Sequence, residues 1–588
     1  MSPSARPPAG PLGATDPTRW RLDSQDGGRH VWHYIRDEDS QDATAYEKLW
    51  GDDPRQVKKG EQTMEAKHAL GLPLPVVSGL SDPAGDPWKA AKKGFEFYKR
   101  LQSPDGHWSG EYGGPLFLQG GLFIALYVTK TPIPEEWKIE TARYLANIQR
   151  RGGESDDGWG ICRWMVEGPD SEAFKQHVAH VRDFMWMSKD GMMACGKRSR
   201  SRFDFDLSEY LVSFSQEQMV PSILPRGSQL WDAAFISQAL AETGLGREPE
   251  NVKSATHVLE WLDECQIRED PKWYKEAYRH STKGAWPFST KEQGYTVSDC
   301  TAEGLKAVMM LQSLPDVPEL VSKERMCDSI DLLLTMQNSS GGFASYELIR
   351  GPAFLELLNP AEVFGNIMIE YAYPECTTAC EALPVLRTLG CELTSSAGVT
   401  AMSVFKKKYP DYRSEDIARV SKAAINYIRK AQRPDGSWYG SWGVCFTYAT
   451  MFAVESLSLE GETYENSASV QKACDFILEK QMEDGGWGES FKSCENHVYV
   501  HNLKSQVVNT SWAVLTLLQA KYPDPEPVRR GCKLIMSRQL RDGSWAQESI
   551  EGVFNHAVAI SYWNFKHSWT IWALGKASRV LGKEGWSA

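Results

Sequence analysis

Gln432-Arg433-Pro434-Asp435-Gly436-Ser437-Trp438 decides how this chain folds, because it recurs. Gln102-Ser103-Pro104-Asp105-Gly106-His107-Trp108, Gln481-Met482-Glu483-Asp484-Gly485-Gly486-Trp487 and Gln539-Leu540-Arg541-Asp542-Gly543-Ser544-Trp545 repeat it. Gln337 to Phe343 is a Phe variant, Gln149 to Trp159 a stretched copy, and Gln266 to Trp286 a degraded one. An amphipathic stretch precedes each Gln, as in Ala423 to Ala431 and Ala473 to Lys480. The Asp-Gly step then turns the chain. A second, more apolar helix follows, such as Tyr448 to Leu457 or Thr510 to Leu518. Starts at 432, 481 and 539 leave room for one helix pair per repeat. Such a period implies stacked helix pairs, arranged as an open solenoid or closed into a ring. The fold class is therefore all-α, and the repeat Gln and Trp residues tie turns to neighbouring helices.

The repeat also supplies a register. If the second helix of each pair lines the inside of a ring, its N-terminus meets the mouth of the cavity. Equivalent starts are Ser298-Asp299-Cys300-Thr301, Pro374-Glu375-Cys376-Thr377, Val444-Cys445-Phe446-Thr447 and Val508-Asn509-Thr510-Ser511. This places Cys300 and Cys376 at matching positions and makes Asp299 and Cys376 neighbours in space. An Asp at a helix start is ordinarily a cap. Asp299 differs in its company: a Cys beside it, a second Cys expected nearby, and a chain carrying 22 Trp.

Bulk properties narrow the alternatives. The net charge of −12, with no basic stripe to offset it, argues against a nucleic-acid partner. The 12 Cys form no paired CxxC sets, so neither a zinc site nor a disulfide scaffold is indicated, and free thiols fit a reducing compartment. No DDxxD stretch for a magnesium diphosphate site occurs, and no cofactor or metal is expected. Residues 1–17 are rich in Pro, Ala and Gly and read as a disordered lead without a signal peptide. The longest apolar run, Pro115 to Val128, is too short to span a bilayer.

With the Gln-to-Trp repeats, the stretch Asp299-Cys300-Thr301-Ala302-Glu303 resembles the oxidosqualene cyclase (terpene cyclase/mutase) family, and within it the fungal lanosterol-forming branch. The likeness runs through nearly all of residues 18–588. It implies an (α/α) barrel and an isomerase that converts (3S)-2,3-epoxysqualene to lanosterol or a related tetracyclic triterpene. It implies Asp299 as the proton donor, Cys300 and Cys376 as its hydrogen-bonding partners, and Glu303 as the group that re-protonates it through water. Opening an epoxide asks for an acid kept dry. Burial raises a carboxyl pKa, while thiols and a helix N-terminus stabilise the anion left behind. The bland reading of Glu303 is a helix-surface charge. The cation that follows calls for aromatic faces, each worth ~0.5–2 kcal/mol. By matching motifs these are Trp231, Phe288, Tyr346, Trp442 and Phe554, with Tyr112 as a further lining residue; alone, each would read as core packing. The family's His for the last deprotonation falls in a block this chain lacks. His556 sits where a surface residue is expected. The lipid substrate implies one-sided docking on the endoplasmic reticulum membrane or a lipid droplet.

Three regions depart from that family. After Gly160-Ile161 the chain jumps to Cys162-Arg163-Trp164, omitting most of one of two helical barrels. Residues 195–226 and 380–400 interrupt family motifs, carry no helix-pair pattern, and read as retained introns or gene-model errors, the omitted block being a skipped segment or a real loss. The resulting division is an N-terminal arm at 18–90, a remnant of the first barrel at 91–162, and a catalytic barrel at 163–588. Two other readings compete: a zinc-dependent barrel like the protein prenyltransferase β subunit, and a catalytically dead truncated paralogue.

Overall fold

The structure is a computed structural model; short breaks aside, it describes residues 14–36, 86–108, 112–113, 126–148, 185–194, 228–354, 393–582 and 586. In chain order the elements are β1 (Trp20–Gln25), β2 (Arg29–Tyr34), α1 (Pro87–Tyr98), β3 (Tyr112–Gly113), α2 (Glu135–Ile148), β4 (Met185–Ser188) and β5 (Gly191–Ala194). There follow α3 (Gln229–Thr243), α4 (Pro249–Cys265), α5 (Ser298–Leu311), α6 (Lys323–Thr335), α7 (Leu393–Lys408), α8 (Ser414–Ala431), α9 (Cys445–Leu459) and α10 (Ala468–Glu479). The chain ends with α11 (Val507–Gln519), α12 (Glu526–Ser537), β6 (Gly552–Phe554), β7 (Val558–Tyr562) and α13 (Phe565–Leu581).

Two kinds of helix alternate. In α8 the buried residues Ile417, Val420, Ala424, Ile425 and Ile428 recur at three- and four-residue spacing, so one stripe packs inward and the rest meets water. In α9 every residue from Cys445 to Leu457 is buried, as a helix enclosed on all sides requires. Helices α3, α5, α7, α9, α11 and α13 form the inner layer. Each packs against the next, and α13 packs back on α3. The outer layer is α1, α4, α6, α8, α10 and α12.

The repeat supplies the bolts. The amide of each repeat Gln donates to a carbonyl of its own turn and to one on the following outer helix. Gln102 reaches Ser254, Gln266 reaches Arg325, Gln337 reaches Val420, Gln432 reaches Ser469 and Gln481 reaches Pro527. Gln539 then reaches back to Ala90 O at 2.9 Å, which closes the ring between α12 and α1. Indoles of Trp108, Trp438, Trp487 and Trp545 donate to carbonyls ten residues earlier, on or beside their own outer helix. Gly436 shows why the turn needs glycine. Its φ is +89°, and a Cβ would lie 2.2 Å from Lys472 O of the next outer helix.

The open alternative is thereby decided in favour of a closed all-α barrel, and four expectations change. Gln266 and Trp286 form a complete repeat: Gln266 bonds Arg325 O, and Trp286 Nε1 donates to Leu262 O at 2.8 Å. Only the intervening loop has grown. The repeat at Gln102–Trp108 belongs to this same ring, through α1 and the Gln539–Ala90 bond, rather than to the separate 91–162 remnant. The stretch 380–400 is not devoid of helix, because its last eight residues open α7, whose Ala401, Met402 and Phe405 are buried. Of the lead read as disordered at 1–17, only residues 14–16 are described, and there Thr15 N and Oγ1 donate to Glu140 Oε1 of α2 at 2.8 and 2.6 Å. The arm supplies a β1–β2 hairpin with Trp20 fully buried. Gln149 to Trp159, residues 195–226 and 380–392, and Cys376 lie outside the described residues, as do the Gly160–Cys162 junction and His556.

Candidate active site

Described segments that leave the repeat turns tie the starts of inner helices. Leu230 N of α3 donates to Ser289 O at 3.2 Å, and Ser298 N of α5 donates to Ser345 O at 2.8 Å. At the head of α9, Val444 N donates to Glu551 O and Val553 N to Trp442 O, with Gly443 paired to Gly552. At α11, Val507 N donates to Glu548 Oε2 at 2.7 Å. Helix starts leave amides without partners, and these returning segments satisfy them.

The expected aromatics sit at these junctions. Trp231 and Phe288 flank the Leu230–Ser289 bond, and their rings lie 6.0 Å apart at 25°. Tyr346 follows Ser345, one residue from the bond that precedes Asp299, and meets Tyr295 edge-on at 5.8 Å. Trp442 and Phe554 flank the Trp442–Val553 bond. A three-stranded sheet in the order β3-β7-β6 pairs Tyr112 with Tyr562 and Phe554 with Val558, so its backbone brings Tyr112 and Phe554 to one patch. The side chains of Tyr112 and Phe554 lie outside the described residues.

Asp299 occupies the first turn of α5. It is 5 % exposed, and its Oδ1 accepts a 2.8 Å hydrogen bond from Cys300 N. Cys300 is fully buried. Thr301 anchors the turn: Trp286 N donates to its Oγ1 at 3.0 Å. The same bond joins Trp487 N to Thr510 and Trp438 N to Thr450. The equivalents of Thr301 are therefore Thr510 and Thr450, one and three residues off the register read from the repeat. Local insertions at the turns shift the helix starts, and only the hydrogen bond reveals it.

Glu303 is no surface charge. It is fully buried, accepts from Gln238 Nε2 of α3 at 2.6 Å, and lies 3.1 Å from Lys306 Nζ. Burial pushes its carboxyl up, against the pull of Lys306. Burial pulls the Lys306 ammonium down, yet Glu303 and Glu455 together hold it above its ordinary value.

Residues 227–411 and 394–579 match the model of the squalene-hopene cyclase C-terminal domain. The chain is 34% identical to the lanosterol synthase of Pneumocystis carinii over 775 aligned positions, covering 97% of this chain and 98% of that protein. The chain belongs to the oxidosqualene cyclase family. It is also 34% identical to lanosterol synthase erg7A of Aspergillus fumigatus, covering 97% of this chain and 96% of that protein. Against lanosterol synthase ERG7 of Saccharomyces cerevisiae it is 44% identical over 421 residues, or 70% of this chain and 51% of that protein. These relatives do not favour the zinc-dependent alternative.

In this oxidosqualene cyclase chain the inner helices carry a second aromatic group that the motifs did not expose. Phe235 packs on Trp569 at 4.5 Å, Tyr448 on Trp512 at 4.8 Å, and Trp569 stacks on Trp572 at 5.3 Å. Only their placement on fully buried helices could have found them. Glu489 was missed as well. Its carboxylate accepts from the N–H groups of Cys445, Phe446 and Thr447, capping α9 from the next repeat.

Glu551 is a third missed carboxyl. It is buried beneath the 442–444 and 551–553 pairing, where Gln547 Nε2 donates to both of its oxygens at 2.7 and 2.8 Å. Burial pushes it up to about 8. A carboxyl raised in the folded state favours the fold while neutral. Its stabilising effect is complete below the unfolded value near 4.5 and is lost as pH rises through 8. Glu551→Gln keeps the shape without the charge. Thermal melts should show the variant losing less stability than the wild type between pH 6 and about 9.

Proposed function

We propose that this chain is a triterpene cyclase that converts (3S)-2,3-epoxysqualene to lanosterol or a related tetracyclic triterpene by acid-initiated cyclisation. The observation that carries the reading is Asp299, an acid buried at the first turn of an inner helix beside Cys300, within a family of cyclases. Asp299 gives its proton to the epoxide oxygen as the C–O bond opens. The amide of Cys300 and the N-terminus of α5 then stabilise the carboxylate. Cys300 and Cys376 support it as thiol donors. Trp231, Phe288, Tyr346, Trp442, Phe554 and Tyr112 offer ring faces to the cation while keeping nucleophilic water away. No cofactor enters this cycle.

Incubating the purified protein with epoxysqualene tests the reading, with gas chromatography and mass spectrometry of the products. A tetracyclic alcohol is expected. A folded protein that leaves the substrate unchanged overturns it and favours the inactive paralogue. One observation makes that second reading specific. An alignment of 775 positions on 588 residues must open large gaps in this chain, as loss of first-barrel sequence would require.

We further propose peripheral, one-sided attachment to the endoplasmic reticulum or a lipid-droplet surface, since the substrate is a lipid. Among the described residues no helix is long and apolar enough to cross a membrane. Nucleic acid is not a partner in this reading, given the net charge of −12.

A further inference from the structure

Two turns below Asp299, three charged groups meet inside the ring. Lys306 Nζ lies 3.1 Å from Glu303 Oε2 on its own helix and 3.0 Å from Glu455 Oε1 of α9. Glu303 takes a further hydrogen bond from Gln238 of α3. The next charges outward are Glu242 of α3 and Lys576 of α13, 2.7 Å apart, with Trp572 Nε1 also donating to Glu242. Arg579 binds the backbone carbonyl of Glu242 from a more exposed position. The cluster is thus three carboxyl groups around two ammonium groups, with Glu242 and Lys576 partly exposed. An uncompensated buried charge costs several kcal/mol, so a shared proton is the cheaper state. Glu242 pairs directly with Lys576, while Glu303 and Glu455 both pair with Lys306. Glu303 has no solvent exposure, whereas the Glu455 side chain keeps 11 %. The carboxyl farther from water holds the proton.

We propose that Glu455 is a positioning residue: by claiming the Lys306 ammonium, it keeps Glu303 a neutral acid and so a proton store for Asp299. The inference rests on Asp299 as the proton donor. Glu303 lies four residues after Asp299, on the same face of α5. Each turnover leaves Asp299 a carboxylate. The Glu303 O–H bond breaks, and its proton passes through water to Asp299. Glu303 then regains a proton from solvent by way of the Glu455 side. Burial raises the Glu303 carboxyl, and the neighbouring charge of Glu455 raises it further.

Infrared difference spectroscopy on the purified full chain tests the protonation directly. Glu303→Gln should remove one carbonyl band of a protonated carboxylic acid at neutral pH. Glu455→Gln should remove that same band, because Lys306 then pairs with Glu303 alone. A wild-type band set left intact by either substitution overturns the proposal. Kinetics add a second readout. Glu455→Gln should keep single-turnover cyclisation near wild type and lower steady-state turnover about tenfold or more. Equal losses in both regimes would show a structural role and would also overturn it. If instead Asp299 is not the donor, Asp299→Asn retains turnover while the Glu303 band behaves as described, so the two failures are distinguishable.

Discussion

Asp299→Asn should abolish cyclisation and leave the fold intact. The amide is nearly isosteric with the acid, and its Oδ1 can still accept from Cys300 N, the 2.8 Å bond that seats the side chain. It has no acidic proton to give. A positioned general acid is worth about 10²–10⁴ in rate, and epoxide opening is the step that commits the substrate, so product should fall below detection. The measurement pairs product analysis with circular dichroism and a thermal melt. Unchanged turnover in a folded variant removes Asp299 from the mechanism. A lost fold would instead mark it as a structural cap.

The second large effect concerns the ring itself. Trp545→Ala should cost about 3–5 kcal/mol, the range for deleting a buried Trp. The indole is 1 % exposed and donates to Ile535 O at 2.9 Å. Its far edge lies on α1, where a Cβ on Gly94 would come within 2.7 Å of it. Removing it leaves a cavity at the seam that closes the barrel, next to the Gln539–Ala90 bond. Trp545→Phe should cost far less, about 1 kcal/mol for the lost hydrogen bond, because Phe343 fills the same register in another repeat. Chemical denaturation midpoints separate the two variants. An Ala variant as stable as the wild type would mean that the seam bears no load. The Phe variant should also keep the wild-type product profile, as expected of a residue that ties helices and does no chemistry.

Helix pairs, repeat turns and the placement of Asp299 at an inner-helix start were legible in the residues, because each depends on neighbours a few positions away. An Asp-Gly turn, an amphipathic stripe and a buried apolar helix are local properties, and the repeat multiplied a weak signal several times over. The degraded copy at Gln266 was hard to see for a local reason: its loop had lengthened, although both ends still make the standard bonds. Glu303 shows a different limit. Sequence places it one turn after Asp299, but whether that face meets water or Gln238 and Lys306 depends on which helices stand beside α5.

The order of residues by itself determined an all-α fold of paired helices and an acid with its thiol neighbour. The tertiary structure alone decided that the pairs close, with Gln539 meeting Ala90 across 449 residues, and that α1 is a member of the ring. It also decided that Glu551, Glu303 and Lys306 are buried and that Glu455 alone of the Glu303–Lys306–Glu455 group keeps a small exposure. The physical reason is range. Turn and helix propensities act within a few residues of chain, whereas closure and the dielectric around a carboxyl are set by whatever distant segments pack against it.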